Sequence, residues 1–226
     1  MKKRQSKKIN QEKERSIPYY KLILIGENGI GKTQIMRKFN NEEYQDNYFP
    51  TYGVDFRMVK INKDKGELSS EIQIIDIAGE KDKIHELVEG DLIKGVHAFL
   101  CVFNISDEFS VKKAVEIKNK YKNKLGAYGK EVLWYLIGTQ KDLDIIGKQV
   151  PPKYKYEFKN YFEISAKDSK PEEFKKILDE VIGDVSLKIL ENRFITNKDE
   201  KQEDNNIDED FLDAHGNVFD EDCKIS

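Results

Sequence analysis

The feature that most limits what this chain can fold into is a glycine-rich octapeptide set between two apolar segments. The octapeptide follows the pattern G-x-x-x-x-G-K-[ST] and consists of Gly26, Glu27, Asn28, Gly29, Ile30, Gly31, Lys32 and Thr33. Residues 19–25 before it form a short apolar run typical of a strand, and residues 34–39 after it have helical spacing of apolar side chains. Glycines let the backbone N–H groups turn towards an anion at the start of the following helix. This context predicts a phosphate-binding loop.

Two side chains of the octapeptide have chemistry suited to a polyphosphate. Lys32 is predicted to reach the terminal phosphates of a nucleotide, and the hydroxyl of Thr33 to bind Mg²⁺. Gln34 follows directly, so the predicted binding segment covers residues 26–34. ATPases, kinases and GTPases all use such a loop, and the loop alone does not distinguish between them.

Composition predicts one domain with charged tails. The chain has 226 residues, and no stretch approaches the roughly 18–20 apolar residues that a membrane span needs. Residues 1–16 contain seven Lys or Arg against two Glu, whereas residues 198–226 contain three Lys against eleven Asp or Glu. Both ends are poor in large apolar residues. We therefore expect a basic disordered arm over 1–18, a nucleotide-binding domain over 19–194 and an acidic disordered tail over 195–226.

Other bulk features predict a cytoplasmic protein. Cys101 lies in an apolar run and Cys223 lies near the end of the sequence, so neither belongs to a disulfide or metal-binding pattern. The polar N-terminus lacks the apolar core of a secretory signal. The basic arm is more typical of a solvated tail than of a contact with membrane or nucleic acid, and no nucleic-acid partner is expected.

Strand and helix patterns alternate through the middle of the chain. Strands are predicted at residues 19–25, 54–61, 71–77, 96–104, 132–137 and 161–164, with a glycine-containing hairpin turn at 62–66. Helices are predicted near residues 34–39, 83–93, 108–124 and 171–194. This alternation predicts an α/β fold with a mostly parallel six-stranded sheet, one antiparallel edge strand and helices on both faces.

Three later segments bear on the type of nucleotide. Asp76 lies at the end of the strand at 71–77 and Gly79 lies just after it; a carboxylate there can hold Mg²⁺, and the glycine N–H can approach a γ-phosphate. Asp142 in the segment Thr139-Gln140-Lys141-Asp142 can accept from both N1–H and the exocyclic amine of guanine, a donor pair that adenine lacks. The third segment consists of Ser165, Ala166 and Lys167, and one of its backbone N–H groups can donate to guanine O6.

With these motifs in order, residues 19–193 resemble the Ras superfamily of small GTPases. The segment at 52–56, Tyr-Gly-Val-Asp-Phe, is similar to the Rab sequence I-G-V-D-F, and residues 71–80 are similar to the Rab stretch L-Q-I-W-D-T-A-G-Q. The segment at 139–142 resembles the T-Q-x-D form of some Rho-branch members rather than the commoner N-K-x-D. The resemblance implies a phosphate-loop small GTPase fold and a GTP/GDP switch with Mg²⁺, in vesicle trafficking or signalling.

The resemblance also assigns roles to individual residues. Thr51 falls on the threonine that binds Mg²⁺ and, with Gly79, the γ-phosphate. Tyr44 falls on the aromatic residue that packs against guanine, and Tyr48 on the tyrosine that covers the phosphates. Asn28 stands where glycine or serine is common. Gln140 replaces the usual lysine under the base, and its aliphatic stem can still stack there.

Glu80 is the departure with the largest consequence. The family usually has glutamine at this position, where it orients the attacking water. An ionised carboxylate can only accept hydrogen bonds and adds negative charge near the γ-phosphate. Glu80 is therefore expected either to act as a base and preserve slow hydrolysis, or to suppress hydrolysis and leave a GTP-loaded binding module. A phosphate-loop ATPase or kinase is the alternative outside the family.

The end of the sequence and the family resemblance predict partners. The last four residues, beginning at Cys223, fit C-a-a-X with a serine that favours farnesyl, although the neighbouring acidic residues oppose anionic lipid. Prenylation would place the protein on the cytosolic face of a membrane; a cysteine without this role is the alternative. The resemblance implies a monomer that meets effectors, exchange factors and GTPase-activating proteins through residues 44–56 and 77–93.

Overall fold

A computed structural model describes residues 18–47, 49–61, 70–78, 90–143 and 150–213, with side chains described as far as residue 192. The chain divides into two compact units, Met1–Asp179 and Glu180–Ser226. The first unit contains the whole of the sheet described below.

The first unit is built on a six-stranded sheet. Its order is β2-β3-β1-β4-β5-β6, and every neighbouring pair is parallel except the antiparallel pair of β2 and β3. The predicted α/β class and its antiparallel edge strand are thus confirmed. The strands are β1 (Tyr19–Ile25), β2 (Val54–Ile61), β3 (Ser70–Ile77), β4 (Ala98–Asn104), β5 (Leu133–Thr139) and β6 (Asn160–Glu163).

The central strands are apolar because helices and loops cover both of their faces. Alternate residues of a strand point to opposite faces, yet Leu22, Ile23 and Leu24 of β1 are all fully buried. One face forms a cluster in which Phe99 of β4 stacks on Trp134 of β5, with ring centroids 4.6 Å apart. Parallel strands end at a common edge, so the loops after β1, β3, β4 and β5 meet there.

The described helices are α1 (Lys32–Phe39), α2 (Glu108–Leu125), α3 (Pro152–Lys155) and α4 (Pro171–Asp213). Asp107 caps α2 by accepting from the N–H of Phe109 at 2.9 Å, and Tyr121 of this helix packs on the ring of Phe99. Helix α1 lies against β1 and β3, and its Phe39 meets Phe174 in α4 edge to face. In the part of the chain that the structure describes, no helix is both long and apolar enough to span a membrane.

Several element boundaries differ from the predicted ones. Strand β5 continues to Thr139 because Gly138 and Thr139 pair with the end of β4. Helix α4 does not end at residue 194 but continues to Asp213, into the segment predicted as a disordered tail. No glycine or proline lies between Gly183 and Gly216, so nothing in the sequence stops the helix earlier. The predicted turn at 62–66 and most of the predicted helix at 83–93 lie outside the described residues.

Candidate functional site

A cavity of about 550 Å³ opens where the loops after the parallel strands meet. Its walls come from the glycine-rich loop, the chain between α1 and β2, and the segments after β5 and β6. Most of the predicted site residues line it: Asn28, Gly29, Ile30, Gly31, Lys32, Thr33, Gln34, Tyr44, Thr51, Thr139, Gln140, Asp142, Ala166 and Lys167. Segments far apart in the sequence therefore share one concave site.

The glycine-rich loop has a backbone that other residues adopt with difficulty. A Cβ atom on Gly26 would lie 2.4 Å from the carbonyl oxygen of Val102, and Gly31 has φ of 95°. Gly31 precedes the first residue of α1 and has no side chain with which to cap it. The first residues of α1 line the cavity and have no side-chain cap, so an anion there could accept from their N–H groups.

Lys32 is nearly buried and is held by the loop that it follows. Its ammonium donates to the carbonyl oxygens of Gly26 at 3.1 Å and of Glu27 at 2.7 Å. Gly26 and Glu27 thus contribute to the site by fixing this cation. Burial lowers the pKa of Lys32, and the nearby Asp76 carboxylate opposes that change. The arrangement holds the Lys32 side-chain nitrogen at the wall of the cavity.

Asp76 joins three segments below the cavity. Thr33 donates to its Oδ2 oxygen at 2.5 Å, and the hydroxyls of Thr33 and Thr51 lie 2.9 Å apart. Burial raises the pKa of Asp76, whereas the hydrogen bond from Thr33 and the charge of Lys32 lower it. Among the residues that the structure describes, none donates to the buried Oδ1 oxygen. A carboxylate beside two hydroxyls is a set of oxygen donors that suits a hard divalent cation.

The opposite end of the cavity is organised by three side chains. The hydroxyl of Thr139 lies 2.6 Å from the carbonyl oxygen of Ile30 and 2.9 Å from that of Phe103, so it ties the end of β5 to the glycine-rich loop. Ser165 donates to Oδ1 of Asp142 at 2.7 Å. The same Ser165 oxygen accepts from two backbone N–H groups that follow it. Asp142 is therefore oriented by a side chain that the backbone itself fixes.

Some residues of the cavity wall were not predicted from the sequence. Arg37, Asp55 and Arg57 line it and form ion pairs with each other or with Glu42. These charged residues match no motif, so no sequence signal marks them as part of a site. Tyr48, Gly79, Glu80 and Cys223, which were predicted to be functional, lie outside the described residues.

Replacement of Thr139 by valine tests the link between the two ends of the cavity. Valine keeps the shape but leaves the carbonyls of Ile30 and Phe103 without this donor, so we expect the free energy of unfolding to fall by about 1–3 kcal/mol. Urea denaturation measures this change. Thr139→Ser keeps the hydroxyl and is expected to retain most of the stability; equal losses in both variants would contradict the role of the hydroxyl.

Comparison with known proteins is consistent with this geometry. The model of the Ras family matches residues 21–187. The chain is 28% identical over 125 residues to the GTP-binding protein YPTM2 of Zea mays, a match that covers 55% of this chain and 58% of that protein. It is 27% identical over 125 residues to the Ras-related protein RABD2a of Arabidopsis thaliana, with the same shares covered.

A third relative is the Ras-related protein RabC of Dictyostelium discoideum, which is 32% identical over 106 residues, or 45% of this chain and 53% of that protein. The chain thus spans less than two thirds of the length of these relatives. The family model covers most of the chain and includes the strands and loops that form the cavity. The protein is therefore a member of the Ras family and a small GTPase near the Rab proteins.

Proposed function

We propose that residues 19–194 bind GTP and GDP with Mg²⁺ and act as a switch that hydrolyses GTP slowly. One observation carries this proposal: a single cavity joins the anion-binding loop around Lys32 to the oriented carboxylate of Asp142. A nucleotide with its phosphates at the first end and its base at the second would contact both. The phosphate loop alone is equally compatible with an ATPase or a kinase, so Asp142 is the residue that favours a guanine nucleotide.

The base end of the cavity has the donors and acceptors that guanine requires. Asp142 can accept from N1–H and the exocyclic amine, and the backbone N–H of Ala166 can donate to O6. Tyr44 and Gln140 line the same cavity and offer an aromatic ring and an aliphatic stem for the faces of the base. Adenine presents no donor pair to Asp142, which favours guanine over adenine.

The donors around Asp76 fit Mg²⁺. The Oδ1 oxygen of Asp76, which has no donor among the described residues, and the hydroxyls of Thr33 and Thr51 would hold the cation directly or through water. Bound Mg²⁺ would neutralise charge on the β- and γ-phosphates. The protein itself holds these three side-chain oxygens close together and places Lys32 beside them.

We assign hydrolysis and switching to the loops that contain Thr51 and Gly79 and propose that both meet the γ-phosphate. We assign Thr51 and Gly79 to its recognition, so that loss of the γ-phosphate releases both loops. Glu80 is assigned to the attacking water. Unassisted rates in such enzymes are about 10⁻⁴ s⁻¹. A second candidate is a GTP-loaded binding module, which the glutamate at 80 and the asparagine at 28 favour.

Partner binding is assigned to the surfaces of these loops, residues 44–56 and 77–93. Phe49, Tyr52 and Phe56 are exposed by 72%, 85% and 62%, an unusual concentration of exposed aromatic side chains. Such side chains are enriched where proteins bind one another. We assign them to effectors, exchange factors and activating proteins, and the Rab relatives support a role in vesicle trafficking. Prenylation of Cys223 would attach this monomer to the cytosolic face of a membrane.

The nucleotide carried by the purified protein tests the proposed function. Chromatography of the nucleotide released on denaturation is expected to show GDP or GTP in a ratio near one per chain, with one Mg²⁺. Recovery of adenine nucleotide would support the ATPase or kinase alternative, and recovery of intact GTP alone would support the binding module.

Replacement of Asp142 by asparagine tests the base contact. The amide cannot accept both guanine protons but can donate to O2 of xanthine, so affinity for GDP should fall at least tenfold, about 1.4 kcal/mol, while affinity for XDP rises. Competition of XDP and GDP for a fluorescent nucleotide measures the preference. Asp91→Asn makes the same change at an exposed site and should leave it unaltered. An undiminished preference for GDP in Asp142→Asn would exclude Asp142 as the base contact.

Replacement of Glu80 by glutamine separates the two candidate functions. If Glu80 acts as the base, glutamine should lower the single-turnover rate of GTP hydrolysis, and this is the result that we expect. Glu116→Gln, at an exposed position of α2, controls for the change in charge. A rise of about tenfold in the Glu80 variant, or about 1.4 kcal/mol of barrier, would show that the native chain is a GTP-loaded binding module.

A further inference from the structure

The chain after α1 is fastened to that helix on both sides of Tyr44. On one side, the guanidinium of Arg37 donates from Nε and from a terminal nitrogen to the carbonyl oxygen of Glu43, both at 3.2 Å. On the other side, the amide of Gln34 donates to the carbonyl oxygen of Gln45 at 3.0 Å and accepts from its N–H at 3.2 Å. Every one of these contacts is made by the protein's own atoms.

Gln34 and Arg37 can act together because they lie three residues apart on α1, where side chains share one face of a helix. The backbone they hold is that of the residues immediately before and after Tyr44. Tyr44 is half-buried and lines the cavity. Its position at the cavity wall is therefore set by α1, the helix that begins at the phosphate loop.

Glu42 fixes the direction of Arg37. One oxygen of its carboxylate pairs with Arg37 at 3.1 Å, and the other accepts from Asn40 at 2.8 Å and from Arg57 of β2 at 3.0 Å. These side chains of Arg37, Glu42 and Arg57 are exposed by 18%, 27% and 30%, so solvent screens them only in part. The hydrogen bond from Asn40, followed by that from Arg57, lowers the pKa of Glu42, which is ionised at neutral pH.

The backbone around Glu42 adds to this arrangement. Asn41 has a φ of 57°, and the N–H of Glu42 donates to the carbonyl oxygen of Arg37 at 2.9 Å while that of Asn41 donates to Lys38 at 3.0 Å. This pair of bonds is the Schellman ending of a helix, which turns the chain sharply. This turn brings the carboxylate of Glu42 next to the side chain of Arg37, which lies about one turn earlier on α1.

From this geometry we infer that Arg37 and Glu42 are positioning residues that hold Tyr44 against the bound nucleotide and slow its release. The inference rests on the proposed function, because it presumes that a guanine nucleotide occupies the cavity. The two ends of the chain between α1 and β2 would then behave differently. The end with Tyr44 is anchored to α1, whereas the end with Thr51 is held by contacts of the Thr51 hydroxyl with Thr33 and Asp76. Release of the γ-phosphate would then free Thr51 without freeing Tyr44.

The test is the dissociation of methylanthraniloyl-labelled GDP from the full-length chain, followed by fluorescence after addition of excess GDP at fixed Mg²⁺. We expect Glu42→Gln and Arg37→Gln each to speed dissociation roughly fivefold, about 1 kcal/mol of barrier. Lys60→Met is the matched control. It removes the 3.3 Å ion pair with Glu71, which joins β2 to β3 away from this loop, and dissociation should keep its native rate.

A second arm distinguishes positioning from a general loss of stability. Because the two residues act through Tyr44, Glu42→Gln should add little to the dissociation rate in a Tyr44→Ala background. If Glu42 instead had only a general structural role, the two substitutions would act independently, and their fold-increases in the dissociation rate would multiply. Either that multiplication, or native dissociation rates in both single variants, would overturn the inference. Failure of the native chain to bind the labelled GDP would instead overturn the proposed function, so the two failures are distinguishable.

Discussion

The structure depends on one buried carboxylate. Asp76 lies at the end of β3, is fully buried, and receives hydrogen bonds from Thr33 at the start of α1 and from Thr51 ahead of β2. Burial raises its pKa because an ionised group loses its water there. The ionised form is best compensated by a cation, and the adjacent Lys32 supplies part of that charge. The glycine-rich loop, the sheet and the chain before β2 therefore meet at a buried carboxylate whose ionised form a bound cation would stabilise.

A second point of attachment organises the opposite end of the cavity. Thr139 joins the end of β5 to the glycine-rich loop, and Ser165 orients Asp142. Both contacts link segments that are distant in sequence but adjacent at the common edge of the parallel strands. The sheet thus fixes the distance between the end of the cavity at the glycine-rich loop and the end at Asp142. The connecting loop between α1 and β2 closes one side, anchored at Tyr44 by α1 and joined at Thr51 to Asp76.

Much of the fold and part of the site could be predicted from the sequence, for identifiable reasons. The apolar runs of β1, β4 and β5 are unambiguous because both faces are buried, and the glycine-rich loop has a fixed spacing. The network around Arg37, Glu42 and Arg57 could not be predicted, because charged residues at these spacings are equally common on solvated surfaces. The end of α4 was missed because a polar composition suggested disorder, whereas the residues from 184 to 213 include no helix-breaking glycine or proline.

The most direct test of the account is the effect of Mg²⁺ on thermal unfolding of the GDP-loaded native chain and of Asp76→Asn. Asparagine removes the buried charge, so in the presence of a chelator the variant should unfold at the native temperature or above it. Addition of Mg²⁺ should raise the unfolding temperature of the native chain and leave that of the variant nearly unchanged. An equal rise of the unfolding temperature in both proteins would contradict the claim that the charge of Asp76 is balanced by a bound cation.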